Sequence, residues 1–338
     1  MILSIESSCD DSSIAITKIS NYKLIFHQKI SQNLEHSKHG GIVPELASRI
    51  HAKNLPKVLE NALHCIDKKD LKAIAITTEP GLSISLLEGL MMAKALSLEL
   101  NIPLIKINHL KGHIFSLFIE KEAAFPLSAL LVSGGHTQII HAKNADHMQI
   151  IAQTLDDSFG ESFDKVARML NLPYPGGPEI QNIAKGADPL LFTIPLKNHK
   201  QIAFSFSGLK NSIRLKILEL SSKESLSKHQ IATIASGFQK AACTHVLDQV
   251  QKYFESDCPS IFGIVGGGGA NLFLRQKLLE LCAKFGKKPL FADLKYCQDN
   301  AAMIGRMAVE KYKNNDFSDI LSAQISPKSS KNEFIEVK

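Results

Sequence analysis

Two histidines four residues apart, His109 and His113 in "NHLKGHIF", carry the most definite chemistry in this 338-residue chain. On a helix, positions i and i+4 share a face, so both imidazoles can point at one ion. A hydrolytic zinc site of the H-E-x-x-H kind needs a carboxylate base between its histidines, and here Leu110, Lys111 and Gly112 occupy that span. A metalloprotease is therefore disfavoured. A histidine pair without a third ligand is weak evidence in a chain with 13 His. Far downstream, "CQDNAAMIG" offers Asp299, which could equally cap the helix that "AAMIGRMAV" predicts. Two imidazoles and one carboxylate would suit Fe(II), Zn(II) or Mn(II) and leave coordination positions open to a substrate. Nothing in the spacing brings Asp299 to the histidines.

Four further segments could meet a ligand through backbone or short polar side chains. "ESSCDDSS" places Ser8, Asp10, Asp11, Ser12 and Ser13 in a turn, either a solvated tip or an approach to a phosphate and its cation. In "LLVSGGHT", Gly134 and Gly135 let the backbone come close to an anion. "GIVGGGGANLF" reads as a strand, the glycines Gly266 to Gly269, and a helix capped by Asn271, whose amides and dipole favour an anion. It matches neither the P-loop nor the G-x-G-x-x-G pattern. "DDSFGESFDKVARMLNLPYPGGPE" concentrates Asp156, Asp157, Glu161 and Asp164 around a helix start, where helix capping is the ordinary role of such residues. Asp164 remains open to two roles, substrate contact or cap. Gly176 and Gly177 lie in a rigid turn.

These residues need elements to position them. "ILSIES" and "IAIT" predict strands on either side of the first turn, and residues 129–132 and 138–141 repeat that plan around the second, which points to an internal duplication. Helical patterns cover "VPELASRIHAKNLPKVLENALHCI", "LLEGLMMAKALSLEL", residues 229–254, "LFLRQKLLELCAKF" and "AAMIGRMAVEKYK", with strands at "AIAIT" and "SIFGIV". The alternation predicts an α/β protein of two similar lobes with a ligand cleft between them. A composition of 44% hydrophobic and 21% charged residues fits a soluble globular protein. Six cysteines without a C-x-x-C pair suit reduced thiols in a cytoplasm. The N-terminus lacks a basic signal-peptide start, and no apolar run is long enough for a bilayer. A net charge of +6 permits a nucleic-acid partner without establishing one.

Taken in order, "IESSCDDSSIAI", "GGIVPELASR", "EPGLSISLLEG", "HLKGH", "LLVSGGHTQII", "GESFDKVARMLNLPYPGGP", "FSFSGLK", "VGGGGAN" and "CQDNAAMIG" resemble the bacterial TsaD family, the tRNA N6-adenosine threonylcarbamoyltransferases once described as O-sialoglycoprotein endopeptidases. The resemblance runs from near residue 1 to about residue 327. It implies the two-lobed fold of actin, Hsp70 and sugar kinases, with residues 1–122 and 300–327 in one lobe, 123–299 in the other, and 328–338 as a peripheral tail. The implied activity is transfer of the L-threonylcarbamoyl group from threonylcarbamoyl-AMP to N6 of adenosine 37 in ANN-decoding tRNAs, releasing AMP. Carried over by resemblance, His109, His113 and Asp299 are metal ligands for one divalent ion, Fe(2+) before Zn(2+). Leu131, Val132, Ser133, Gly134, Gly135, Asp164, Gly177 and Asn271 are substrate-binding positions. No catalytic side chain is assigned beyond the metal site, with Asp11 a candidate for support. The implied partners are tRNA, a smaller inactive paralogue (TsaB) and a P-loop ATPase (TsaE), in the cytoplasm and without a membrane. Three departures stand out: Lys111 replaces the family's usual Glu, Gly268 and Gly269 precede Ala270-Asn271, and Gln181 replaces an acidic residue. The rival expectations on the same fold are an ATP-dependent small-molecule kinase and a non-enzymatic nucleotide-gated scaffold.

Overall fold

Two mixed β-sheets with the same strand order organise the chain, each in its own compact unit. The computed structural model describes residues 1–197, 199–222, 224–328 and 334–336. One unit comprises Met1–Phe125, Asn144–Met148 and Ala292–Ile335, and the other Pro126–Lys143, Gln149–Phe291 and Glu336–Lys338. None of the six cysteines is in a disulfide.

In the first unit, β1 (Ile2–Glu6), β2 (Asp11–Thr17) and β3 (Leu24–Ser31) form antiparallel hairpins. β4 (Ala73–Glu79) and β5 (Leu104–Asn108) then add parallel to β1, giving the order β3-β2-β1-β4-β5. Short helix α1 (Asn33–Ser37) precedes α2 (Pro44–Leu63) and α3 (Ser83–Leu100), which cover one face. There Leu3, Ile5, Ile14 and Ile76 pack with Leu55, Val58 and Leu90. Because side chains alternate along a strand, Ser4 and Glu6 of β1 point to the opposite face. Ser4 Oγ there donates to Ala301 O at 2.7 Å. That face is covered by α4 (His109–Phe115), which follows β5 directly, and by α10 (Ala301–Lys313).

Gly112 in the middle of "HLKGH" sets the approach of these two helices. A Cβ there would stand 2.7 Å from Ile304 Cδ1, inside any real contact. Gly305 does the same on the sheet side, where a Cβ would come within 2.6 Å of Thr17 Oγ1 and 2.8 Å of Ser4 Oγ. Small residues thus let α10 settle close to both β1 and α4.

The second unit repeats the sheet. β6 (Leu127–Val132), β7 (Thr137–Ala142) and β8 (Met148–Gln153) run as a meander, with β9 (Ile261–Val265) and β10 (Lys288–Phe291) parallel to β6. The order β10-β9-β6-β7-β8 mirrors that of the first sheet, and the two-residue strand β11 (Ile335–Glu336) follows at the β8 edge. Helices α5 (Phe159–Met169), α6 (Gly176–Ala184), α7 (Ser207–Leu220), α8 (Lys228–Phe254) and α9 (Leu272–Lys284) complete it around a Phe-rich core including Phe159, Phe163, Phe206 and Phe238. The expected duplication is present. Strands β3, β5, β8 and β10 went unread in the sequence; β3, "LIFHQKIS", is a half-exposed edge strand without clean alternation. Of the expected tail, residues 329–333 and 337–338 lie outside the described residues, while Phe334 is buried.

Candidate metal centre and glycine turns

His109 opens α4 because Asn108, the last residue of β5, caps that helix: its Oδ1 accepts from Leu110 N at 2.9 Å and Lys111 N at 3.2 Å. The i, i+4 spacing then stacks the two imidazoles edge to face, with ring centroids 4.6 Å apart. Asp299 meets them from the segment leading into α10. Its Oδ1 lies 3.3 Å from His109 Nε2 and 3.2 Å from His113 Nε2. Asn300, not Asp299, caps α10, its Oδ1 accepting from Met303 N. Among the described residues, His109, His113 and Asp299 are the one group whose ligand atoms converge, all within 4.8 Å of one another.

Two observations test this cluster as a divalent-metal site. His113 is fully buried, and the polar contact of its Nε2 is with Asp299 Oδ1 at 3.2 Å, while its Nδ1 has no hydrogen-bond partner. Leaving a ring nitrogen orphaned in a protein interior costs about 1–3 kcal/mol, and an ion at Nε2, the nitrogen that faces Asp299, would satisfy that one. The nitrogen-to-oxygen separations also fit, because ligand bonds of about 2.0–2.1 Å at the tetrahedral angle put neighbouring ligand atoms roughly 3.3 Å apart. The residues fit a divalent ion.

Glu6 completes the centre and was not anticipated from the sequence. It is fully buried at the end of β1. Its Oε2 accepts from Thr77 Oγ1 at 2.6 Å and lies 3.1 Å from His109 Nδ1, and its Oε1 accepts from Ser8 N at 2.7 Å. Ser8 Oγ is 3.2 Å from the same Nδ1. A carboxylate on Nδ1 fixes a histidine as the tautomer whose Nε2 lone pair is available to a metal. The signal in the sequence was a charged residue on a strand buried on both faces.

Charges in this pocket are strongly coupled. Burial pushes the His109 imidazole down, but Asp299 and Glu6 on its two nitrogens outweigh burial and hold its pKa well above the histidine norm. Burial alone would raise the Asp299 carboxyl; the two histidines hold it well below the usual range. Burial and then the neighbouring His109 lower His113, which favours the neutral ring with one nitrogen lone pair free to bind. Nearby, burial followed by the charges of Asp11 and Asp299 pushes Asp10 up to about 6. Asp11 pairs with Lys29 at 2.7 Å. Negative charge therefore exceeds what the local side chains neutralise.

Lys111 does not face solvent. It is buried, with Nζ 3.5 Å from Asp146 O and 5.7 Å from the centre of the Phe334 ring. It braces α4 internally.

The substrate positions carried over by resemblance all lie in the second unit. Leu131 and Val132 have fully buried side chains, so only their backbone can meet a ligand. Ser133 turns the chain, its N donating to His136 O and its Oγ accepting from His136 N. A Cβ on Gly134, Gly135 or Gly177 would meet nothing within 4 Å, so protein packing does not require glycine there and the bare backbone faces open space. Gly266 is different: its φ of +86° and a notional Cβ 2.4 Å from Val132 O demand glycine. Asp164 lies inside α5 and caps the next helix, its Oδ1 accepting from Gly176 N at 2.7 Å. Asn271 caps α9 through Leu274 N and donates to Gln239 Oε1. Gln181 Oε1 accepts from Leu272 N at 2.7 Å, so this departure from the family pattern also serves the start of α9. Asp156 caps α7 through Phe206 N and Ser207 N, and Asp157 pairs with Lys165 and Lys210.

A family model described as tRNA N6-adenosine threonylcarbamoyltransferase matches residues 23–306. A protein of that name from a Nitratiruptor species is 58% identical over 97% of this chain and 99% of its own length. Another from Sulfurimonas denitrificans is 55% identical over 97% and 99%. Among solved structures, full-length HypF in a phosphate- and nucleotide-bound form aligns with a TM-score of 0.59 at 15% identity, covering 97% of this chain and 47% of that one. Component A of the Acidaminococcus fermentans (R)-2-hydroxyglutaryl-CoA dehydratase aligns at 0.54 and 15%, covering 93% and 98%. These distant structures bear on the fold alone, the duplicated actin-like architecture expected from the sequence.

Proposed function

The chain belongs to the tRNA N6-adenosine threonylcarbamoyltransferase family, and from that premise we propose that it forms threonylcarbamoyladenosine in tRNA with a divalent ion held by His109, His113 and Asp299. The donor is threonylcarbamoyl-AMP, the acceptor N6 of adenosine 37 in ANN-decoding tRNAs, and AMP leaves. The observation that carries the metal assignment is the buried His113, whose Nε2 faces the oxygen that also meets His109.

Adenosine N6 is a poor nucleophile because its lone pair is delocalised into the ring, so orientation and stabilisation of developing charge must supply the rate. A bound divalent ion would act as a Lewis acid on oxygens that gain charge. Fe(2+) is the first choice and Zn(2+) the second, since two imidazoles and a carboxylate accommodate either. Glu6 holds His109 in register, Asn108 fixes the start of the ligand helix, and Gly112 keeps it close to α10. In the second unit, the exposed backbone of Gly134 and Gly135 and the half-buried backbone of Gly177 are suited to anion contacts, whereas the side chains of Asp164 and Asn271 are engaged in caps.

A protein partner of the TsaB kind is supported by α3, whose exposed Ile84, Leu87, Met91 and Leu98 form an apolar stripe at helical spacing. A TsaE-like ATPase rests on the family resemblance alone. Among the described residues no helix is long and apolar enough to cross a membrane, and work on tRNA suits the cytoplasm.

The test is reconstitution with threonine, bicarbonate, ATP, a threonylcarbamoyl-AMP synthase, the two partner proteins and unmodified tRNA, read by nucleoside analysis. The modified nucleoside should require this chain and vanish with Asp299→Asn. Bound metal, measured on the same preparations, should fall with it. Full metal content in His113→Ala would refute the ligand assignment.

A further inference from the structure

Asp299 reaches the histidines from a segment between β10 and α10 that contains only one short helical turn, so that segment must be held from outside. We propose that Lys29 is the positioning residue for Asp299, a strap from β3 that fixes the ligand loop before any ion arrives. Lys29 Nζ donates at 2.8 Å to Gln298 Oε1, the side chain immediately before the ligand, and at 2.7 Å to Asp11 Oδ2. Both ends are fixed elsewhere: Asp11 begins β2 and is largely buried, and Lys29 lies in the β2–β3 ladder, two residues from the Asp11–Ser31 pair.

The same strands grip the segment on either side of the ligand. His27, on the same face of β3 as Lys29 by the strand alternation, meets Tyr296 edge to face at 5.7 Å. Ser13 Oγ accepts from Ala301 N at 3.0 Å. Asn300 Nδ2 closes the loop on itself through Gln298 O at 2.7 Å and Tyr296 O at 3.1 Å. Among these contacts, the Lys29 bridge is the one that ties a side chain adjoining Asp299 to a strand. Its charge also pairs with that of Asp11. Holding a ligand in place beforehand removes ordering entropy from the binding step; a contact made directly to a ligand is typically worth about 10- to 100-fold in metal affinity, and this strap, one residue removed, belongs at the lower end, about 10-fold.

The inference rests on the metal assignment above, and the experiment separates the two. Purified full-length chain is stripped with chelator, and its Zn(2+) affinity is measured by chelator competition for wild type, Lys29→Met, Gln298→Leu and the double variant. Lys29→Met keeps the aliphatic stem and removes the donor. It should bind Zn(2+) about 10-fold more weakly, the lower end of the range for outer contacts. The double variant should be no weaker than the weaker single by more than about twofold, because both changes cut one strap. Tight binding by wild type with unchanged affinity in Lys29→Met overturns the strap alone, even if the metal-free Tm falls. Losses in the double variant that multiply overturn it too. A wild-type chain that binds no divalent ion overturns the metal assignment and the strap together.

Discussion

Replacing Glu6 by Gln is the most searching test of how the centre is built, because the change is isosteric and every partner of the carboxylate is known. Oε2 serves Thr77 Oγ1 and His109 Nδ1, and Oε1 serves Ser8 N. An amide offers one oxygen and one NH2 and must choose. With its oxygen toward Ser8, the NH2 points at His109 Nδ1, which must then accept, driving the ring proton to Nε2, where the ligand lone pair is needed. With its oxygen toward His109, the NH2 opposes the Ser8 N–H and leaves a buried donor unpaired, at about 1–3 kcal/mol. Either way one negative charge leaves a site proposed to hold a cation. Zn(2+) affinity should therefore fall about 10- to 100-fold, equivalent to roughly 1.4–2.7 kcal/mol. Chelator competition measures that loss, and urea denaturation of the metal-free chain measures the fold separately. Glu6→Gln with affinity within about threefold of wild type, well below the expected loss, would refute the role given to Glu6.

Other consequences are more local. His245 is fully buried with Nε2 accepting from Ser205 N at 3.1 Å, and burial pushes its pKa from 6.5 down to about 4. The unfolded chain therefore binds the extra proton first: this contribution to stability is complete above pH 6.5 and is lost as pH falls toward 4, by up to about 3 kcal/mol. Urea denaturation between those limits should show it, and His245→Gln should flatten the curve. Gly266→Ala forces a Cβ against Val132 O at a φ of +86°, so unfolding measurements should register a loss of about 3 kcal/mol or more, or no folded protein. Lys111→Met should leave the slope of log tRNA affinity against log salt unchanged, because the amine is turned inward to Asp146 and Phe334; a slope smaller by about one would place it on a phosphate.

How much of this was legible depends on whether the information was local. The histidine pair, the two strand-turn-strand units and the glycine turns depend on spacing within a dozen residues, and the structure places them on α4, on β1–β2 and β6–β7, and beside β6 and β9. Asp164 shows where locality misleads: its position before "KVARML" resembles a cap of its own helix, but the chain turns back and the carboxylate caps α6 instead. The Lys29 strap joins residues distant in sequence, and no local pattern encodes it.

Glu6, Thr77 and His109 were nevertheless within reach of a topological argument. β1, β4 and β5 are adjacent and parallel, and their carboxyl ends carry Glu6, the segment from Thr77 to Glu79, and Asn108 followed by His109. Parallel strands in register bring such ends together at one rim of a sheet, which is where α/β folds place their ligands. Once "ILSIE" is paired with "AIAIT", and "AIAIT" with "LIKIN", the polar residues closing each strand must converge. A buried Glu at the end of one, beside a histidine pair opening a helix at the end of another, is then the arrangement of the proposed metal ligand and its carboxylate support.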